Sequence, residues 1–254
     1  MDEPEYELED AFLDPEAAGL LQQELIGTID WETDPQGTGQ VARFGIGEAT
    51  APGALAELFE RLGRALGTTP DSCVLHYDPS GQARSAFDSG SPTAPDPAPH
   101  LATAIISLDS ERELTFFHKE TPAKTTIPLP HGSLLCVMPR TEQHWDHALG
   151  TASANSPGRL SLTFRSSQTT TGSTAGGDDP ERITISEDFS FQFAKPGAPG
   201  EHAPFQIAVH AGDQWLGVGA AILLPTACRI ASEVCDACPG FDTAILDHAG
   251  RRVL

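Results

Sequence analysis

Three side chains at fixed steps could do chemistry in this sequence. His147 closes an acid–imidazole segment, Gln143-His144-Trp145-Asp146-His147, and Arg159 and Arg165 follow it at twelve and eighteen residues. An imidazole can ligate a metal or carry a proton. A guanidinium can pair with a carboxylate through two parallel hydrogen bonds, a strong and planar interaction. The bland alternatives are a core histidine in an apolar strand and two strand-surface arginines paired with Asp or Glu. A site is favoured by the setting. Two apolar β-type runs, residues 133–138 and 160–164, flank the imidazole segment and a polar loop bearing Gly and Pro. That pattern predicts a strand pair with ligands at its mouth.

The elements that must position these groups are legible upstream. Asp14 followed by Pro15 reads as an N-cap and first helical residue, with Ala17, Leu20, Leu21 and Leu25 as the apolar stripe and Gly27 as the stop. A second helix is expected over residues 52–66, where Leu55, Leu58, Phe59, Leu62 and Leu66 recur at three- and four-residue steps before Gly67. Short strands are expected at 6–12, 40–46, 73–77, 101–108, 114–117 and 125–129. Helices confined to the first third, then closely spaced strands, predict an α+β fold built on a sandwich or barrel-like antiparallel system.

Several of these residues together resemble the AlkB family of 2-oxoglutarate/iron(II) oxygenases. His147, Arg159 and Arg165 repeat the second half of that family's signature, with Gln143 and Trp145 also at family spacing. Leu75-His76-Tyr77, Ser80-Gly81 and Ala86-Phe87-Asp88 align with the first half. The segments His131-Gly132-Ser133-Leu134-Leu135 and Arg112-x-Leu-x-Phe-Phe-His-Lys119 bring the resemblance nearest the DNA-repair branch. It covers roughly residues 6–165. It implies a double-stranded β-helix (jelly-roll) core with N-terminal helices, and iron(II) and 2-oxoglutarate as cofactors. The metal ligands it implies are Asp88 and His147. For the co-substrate it implies Arg159 and Tyr77 at the distal carboxylate, with Arg165 near the keto-acid and metal end. The implied activity is oxidative dealkylation or hydroxylation of alkylated DNA, RNA or a related small-molecule substrate.

The sequence departs from the family at two positions. Ala86 stands where the first ligating histidine is expected, and Leu75 stands where an asparagine is expected. Water or His100 could complete a weakened iron site. A different register could use His76-Tyr77-Asp78. The third possibility is that the fold is kept while oxidative chemistry is lost, leaving a pseudo-oxygenase that binds 2-oxoglutarate or a partner.

Composition bounds the remainder. The chain has 254 residues, 39% of them hydrophobic, enough for a sizeable core. No apolar run is long enough for a membrane span and the start has no signal-peptide pattern, so a cytoplasmic or nuclear monomer is the expectation. The net charge is −21, with no Lys or Arg before Arg43, which lacks the footprint of a polyanion binder; from Leu101 to Arg165, six Lys or Arg balance six Asp or Glu. Five cysteines suggest reduced thiols, and Cys235-Asp-Ala-Cys238 would need two further ligands, irregularly spaced, for zinc. The oxygenase domain is expected over residues 1–167, a flexible Gly/Ser/Thr-rich linker over 168–181, and a small β-rich module over 182–254 with a short helix near 226–235.

Overall fold

The computed structural model describes residues 3–34, 39–80, 102–109, 111–150, 158–166, 183 and 203–254. The first third holds β1 (Tyr6–Glu9), α1 (Pro15–Thr28), β2 (Glu32–Thr33), β3 (Gln40–Gly45), α2 (Gly53–Leu66) and β4 (Ser72–Asp78). The middle holds β5 (Thr103–Asp109), β6 (Arg112–His118), β7 (Lys124–Leu129), β8 (Ser133–Val137), α3 (Pro139–His144), β9 (Trp145–Leu149) and β10 (Arg159–Arg165). The last part holds β11 (Phe205–Ala211), β12 (Gln214–Ala221), α4 (Leu224–Ala237) and β13 (Asp242–Asp247).

The helix boundaries follow local chemistry. Asp14 Oδ1 accepts from Glu16 N at 2.9 Å and Ala17 N at 3.2 Å, so two of the first-turn N–H groups of α1 are satisfied. The helix passes Gly27 by one residue and ends at Thr28, with Ile29 as its extended C-cap. Gly67 ends α2 in the left-handed region at φ +71°, and a Cβ there would lie 2.8 Å from the Phe205 ring.

Among the described residues a seven-stranded sheet has the order β1-β8-β5-β10-β4-β3-β2, and a three-stranded sheet has the order β7-β6-β9. Every pairing in them is antiparallel. From β4 onward the chain passes between the sheets: β4 and β5 in the large one, β6 and β7 in the small one, then β8, β9 and β10 alternately. That winding is a double-stranded β-helix, and with α1 and α2 on the outer face of the large sheet the class is α+β, as expected.

Side-chain alternation divides the core into two layers. Leu160, Leu162 and Phe164 of β10 join Leu55, Leu58, Phe59 and Leu62 of α2 in the outer layer. Ile105, Leu114, Phe116, Leu135, Val137 and Trp145 fill the space between the sheets. Arg159, Ser161, Thr163 and Arg165 therefore turn the other way, into the lumen.

Two expectations about the central stretch are corrected. The runs at 133–138 and 160–164 do not pair with each other, since β5 lies between β8 and β10. The imidazole segment is not a loop mouth either: its first part is α3 and its second part is β9, a strand of the small sheet paired with β6. In β9, buried Trp145, His147 and Leu149 alternate with more exposed Asp146 and Ala148.

The C-terminal part is a third antiparallel sheet, β12-β11-β13, covered by the 14-residue α4. It is docked on the main core. Ile222 and Leu223 belong to the outer layer, and Glu7 of β1 accepts from their N–H groups at 2.8 and 3.2 Å. The expected boundaries near 167 and 181 fall outside the described residues, as does the whole of the expected linker.

Candidate functional site

Strand register decides which side chains meet. In antiparallel strands directly paired residues project to the same face. Arg159 pairs with Asp78 and Ser161 with His76 across β4, and Ser161 pairs with Ser107 across β5. These groups line one end of the lumen. A narrow pocket with about 30 Å³ of free space, partly open to solvent, lies there, with Arg112, Arg159, Ser161, His76, Asp78 and Tyr77 in its wall.

The pocket's basic groups are held by the fold. Arg159 is buried and its Nη2 donates to Ser107 Oγ at 3.2 Å. Burial, then the neighbouring Arg112 guanidinium, pull its pKa down to about 9, while Asp78 opposes the shift; it stays charged at neutral pH. Arg112 is equally buried, and burial lowers its pKa against the same Asp78. Asp78 Oδ1 also accepts from Ser80 N at 2.9 Å and Ser80 Oγ at 2.6 Å. Ser161 is 1% exposed, and its Oγ has no hydrogen-bond partner among the described residues. The arrangement puts two guanidinium groups, a carboxylate and a hydroxyl without a partner among the described residues at one end of the lumen.

Tyr77 shares the pocket's lining but faces the other way along the register. It pairs with Leu160, as Leu75 pairs with Leu162, and both belong to the outer, helix-facing layer. Its ring lies 5.6 Å from that of Trp31, which itself packs on the outer core and donates Nε1–H to Ile26 O at 3.3 Å. The lumen positions opposite Ser161 and Arg159 belong to His76 and Asp78.

His147 and Arg165 meet in a second cluster. His147 is 7% exposed, and its ring lies 5.9 Å from that of Phe116. Burial, with Arg165 adding to it, draws its pKa down to about 4, so the imidazole is neutral at pH 7. Arg165 Nη2 lies 3.8 Å from Glu142 Oε1, and burial raises the Glu142 pKa although Arg165 opposes it.

Iron(II) is the metal the resemblance implies, and a neutral, buried, lumen-facing imidazole fits one ligand position. Asp88, the other expected ligand, lies outside the described residues together with Ala86 and His100. Among the described residues no three His, Cys, Asp or Glu converge as a metal group. The described chain supplies one fitting donor rather than a completed site.

Ser161 was not singled out by sequence reasoning, and Arg112 was noted only as part of a family-like segment, with no pocket role. Ser161 could have been found, because it alternates with Arg159 on one strand face. Arg112 could not be placed, because it enters from the other sheet.

No family model matches the chain. The human DNA oxidative demethylase ALKBH2 is 34% identical over 76 residues, a stretch that takes in 27% of this chain and 29% of the human protein's length. Among solved structures, OsALKBH1 superposes at a TM-score of 0.49 with 15% identity, covering 64% of this chain and 98% of that one. A prolyl-4-hydroxylase from Pseudomonas putida superposes at 0.42 with 13% identity, covering 64% and 93%. Over the matched stretch the chain is similar to an AlkB-type demethylase, and its own strand winding is an α+β double-stranded β-helix.

Proposed function

We propose that this chain binds 2-oxoglutarate in the Arg159 pocket and acts as an AlkB-type dioxygenase on an alkylated nucleobase or a related substrate. The observation that carries it is the lumen end where Arg159 donates to Ser107 beside buried Arg112 and the Ser161 hydroxyl, which has no partner among the described residues. Guanidinium groups desolvated in this way bind a carboxylate far more strongly than exposed ones. Iron(II), held by His147 and Asp88, would supply oxygen activation coupled to decarboxylation of the keto acid. His147 stays neutral and keeps a lone pair for the metal, while Arg165 and Glu142 set the charge around it.

A second reading is a catalytically impaired oxygenase that binds 2-oxoglutarate or a partner without turnover. Ala86 favours it, since a methyl group cannot ligate where the family has a histidine. Iron titration of the purified chain with and without 2-oxoglutarate, with succinate release as readout, separates the two. An active enzyme releases succinate in the unaltered form, and more with methylated oligonucleotide if that is the substrate. An impaired one binds 2-oxoglutarate but releases succinate only in Ala86→His. If neither form binds iron, Asp88 and His147 do not converge and the metal assignment fails.

A further inference from the structure

We infer that Arg112 is a second guanidinium for the distal carboxylate of the 2-oxo acid, closing on it from the small sheet while Arg159 holds it from the large sheet. The role rests on the pocket being the 2-oxoglutarate seat proposed above.

Arg112 is the first residue of β6 and Arg159 the first residue of β10, so the two belong to opposite walls of the lumen. Both line the same pocket and both are 6% exposed. They feel one another: the Arg112 charge is the largest cause, after burial, of the lowered Arg159 pKa. Asp78 acts on both guanidinium groups, and its Oδ1 also accepts from Ser80. Asp34 also lines the pocket and is half-buried. Two guanidinium groups that line one pocket from opposite walls can both reach a carboxylate placed between them. A carboxylate has about four lone-pair sites and can accept from two guanidinium forks at once. Tyr77, which the family resemblance assigns to this carboxylate, also lines the pocket, with its ring against Trp31. Arg112 adds a second guanidinium to that carboxylate.

A purely structural Arg112, serving only to pair with Asp78, would affect stability and leave ligand preference alone. The test therefore reads preference. 2-Oxoglutarate and 2-oxobutyrate, which keeps the keto-acid end and lacks the distal carboxylate, are titrated calorimetrically into the full chain, without metal and with iron(II) under argon. Thermal unfolding of each variant runs alongside. The unaltered protein should prefer 2-oxoglutarate, and Arg112→Gln should cut that preference about tenfold or more, with Arg112→Lys losing less because it keeps the charge without the fork. If Arg112→Gln fails to fold, Arg159→Gln decides the matter: some preference must survive in it, supplied by Arg112. Affinity for 2-oxoglutarate in Arg112→Gln within about twofold of the unaltered protein would overturn the inference. So would complete loss of preference in Arg159→Gln. An unaltered protein with no preference for the dicarboxylate would overturn both this role and the 2-oxoglutarate seat, an outcome distinct from failure of Arg112 alone.

Discussion

Ser161 shows at the level of one residue how a binding site differs from a core. A hydroxyl on a 1% exposed residue, with no hydrogen-bond partner among the described residues, costs about 1–3 kcal/mol in desolvation. It is a cost that a ligand oxygen can remove. Ser161→Ala should leave the empty protein as stable or more stable by about 1 kcal/mol, and should weaken 2-oxoglutarate binding about three- to tenfold. Thermal unfolding with and without ligand, alongside calorimetry, reads both. A variant that loses stability and keeps its affinity would mark Ser161 as a packing residue. His147 illustrates the same point in a different chemistry: burial beside Arg165 keeps its imidazole neutral, the state that a metal requires.

Two connections between elements carry disproportionate weight. The turn entering β8 holds Gly132 at φ +81°, where a Cβ would approach Leu13 O to 2.6 Å. Its own backbone is fixed on both sides, Gly132 N donating to Ser107 O at 2.8 Å and Leu13 N donating to Gly132 O at 2.9 Å. Gly132→Ala combines a strained backbone with a backbone clash, and should cost about 2–4 kcal/mol, read as a lowered denaturant midpoint. The second connection is Glu7, which ties β1 to the start of α4. Glu7→Ala leaves the Ile222 and Leu223 N–H groups without their acceptor and should cost about 1–3 kcal/mol. Glu7→Gln keeps an acceptor and should cost less. Burial is the largest cause of the raised Glu7 pKa, so the proton is held more tightly folded than unfolded. Its contribution to stability is therefore present below its unfolded pKa and is lost as pH rises through the folded value. Relative to the unaltered protein, Glu7→Gln should accordingly gain stability from about pH 4 to pH 7. A difference that moves in the opposite direction would mean that hydrogen bonding, and not burial, dominates at Glu7.

The charge of the whole molecule constrains its substrate. At −21 the chain repels a polyanion, and the neutral balance between Leu101 and Arg165 offers only a few local cations such as Lys119 and Arg140. A methylated single-stranded oligonucleotide should therefore bind through one or two phosphates, giving a salt slope of about −1 to −2 in log affinity against log salt. A slope of about −5 or steeper would reveal a basic groove and favour a long nucleic acid over a short or uncharged substrate. Among the described helices none is long and apolar enough to cross a membrane.

Local order in the chain was enough to determine the local parts of this structure. Asp14-Pro15 set the start of α1, the leucine steps set the buried face of α2, and period two put Arg159 on the same side of its strand as Arg165. The same rule put Leu75 and Tyr77 together on one face, but alternation cannot say which face is the lumen. Only pairing with β10 decided that, setting Tyr77 against Trp31 at the pocket's wall while His76 and Asp78 take the lumen face. Sequence neighbours likewise suggested that the runs at 133–138 and 160–164 would pair, whereas β5 is inserted between them. The polar segment before Arg159 gave no sign that its second half would be a strand, because β9 is defined by its distant partner β6. Arg112 reaches Arg159 only because the chain winds from one sheet to the other. A residue's period fixes its face; the company it keeps is fixed by long-range strand pairing, which a one-dimensional pattern does not carry.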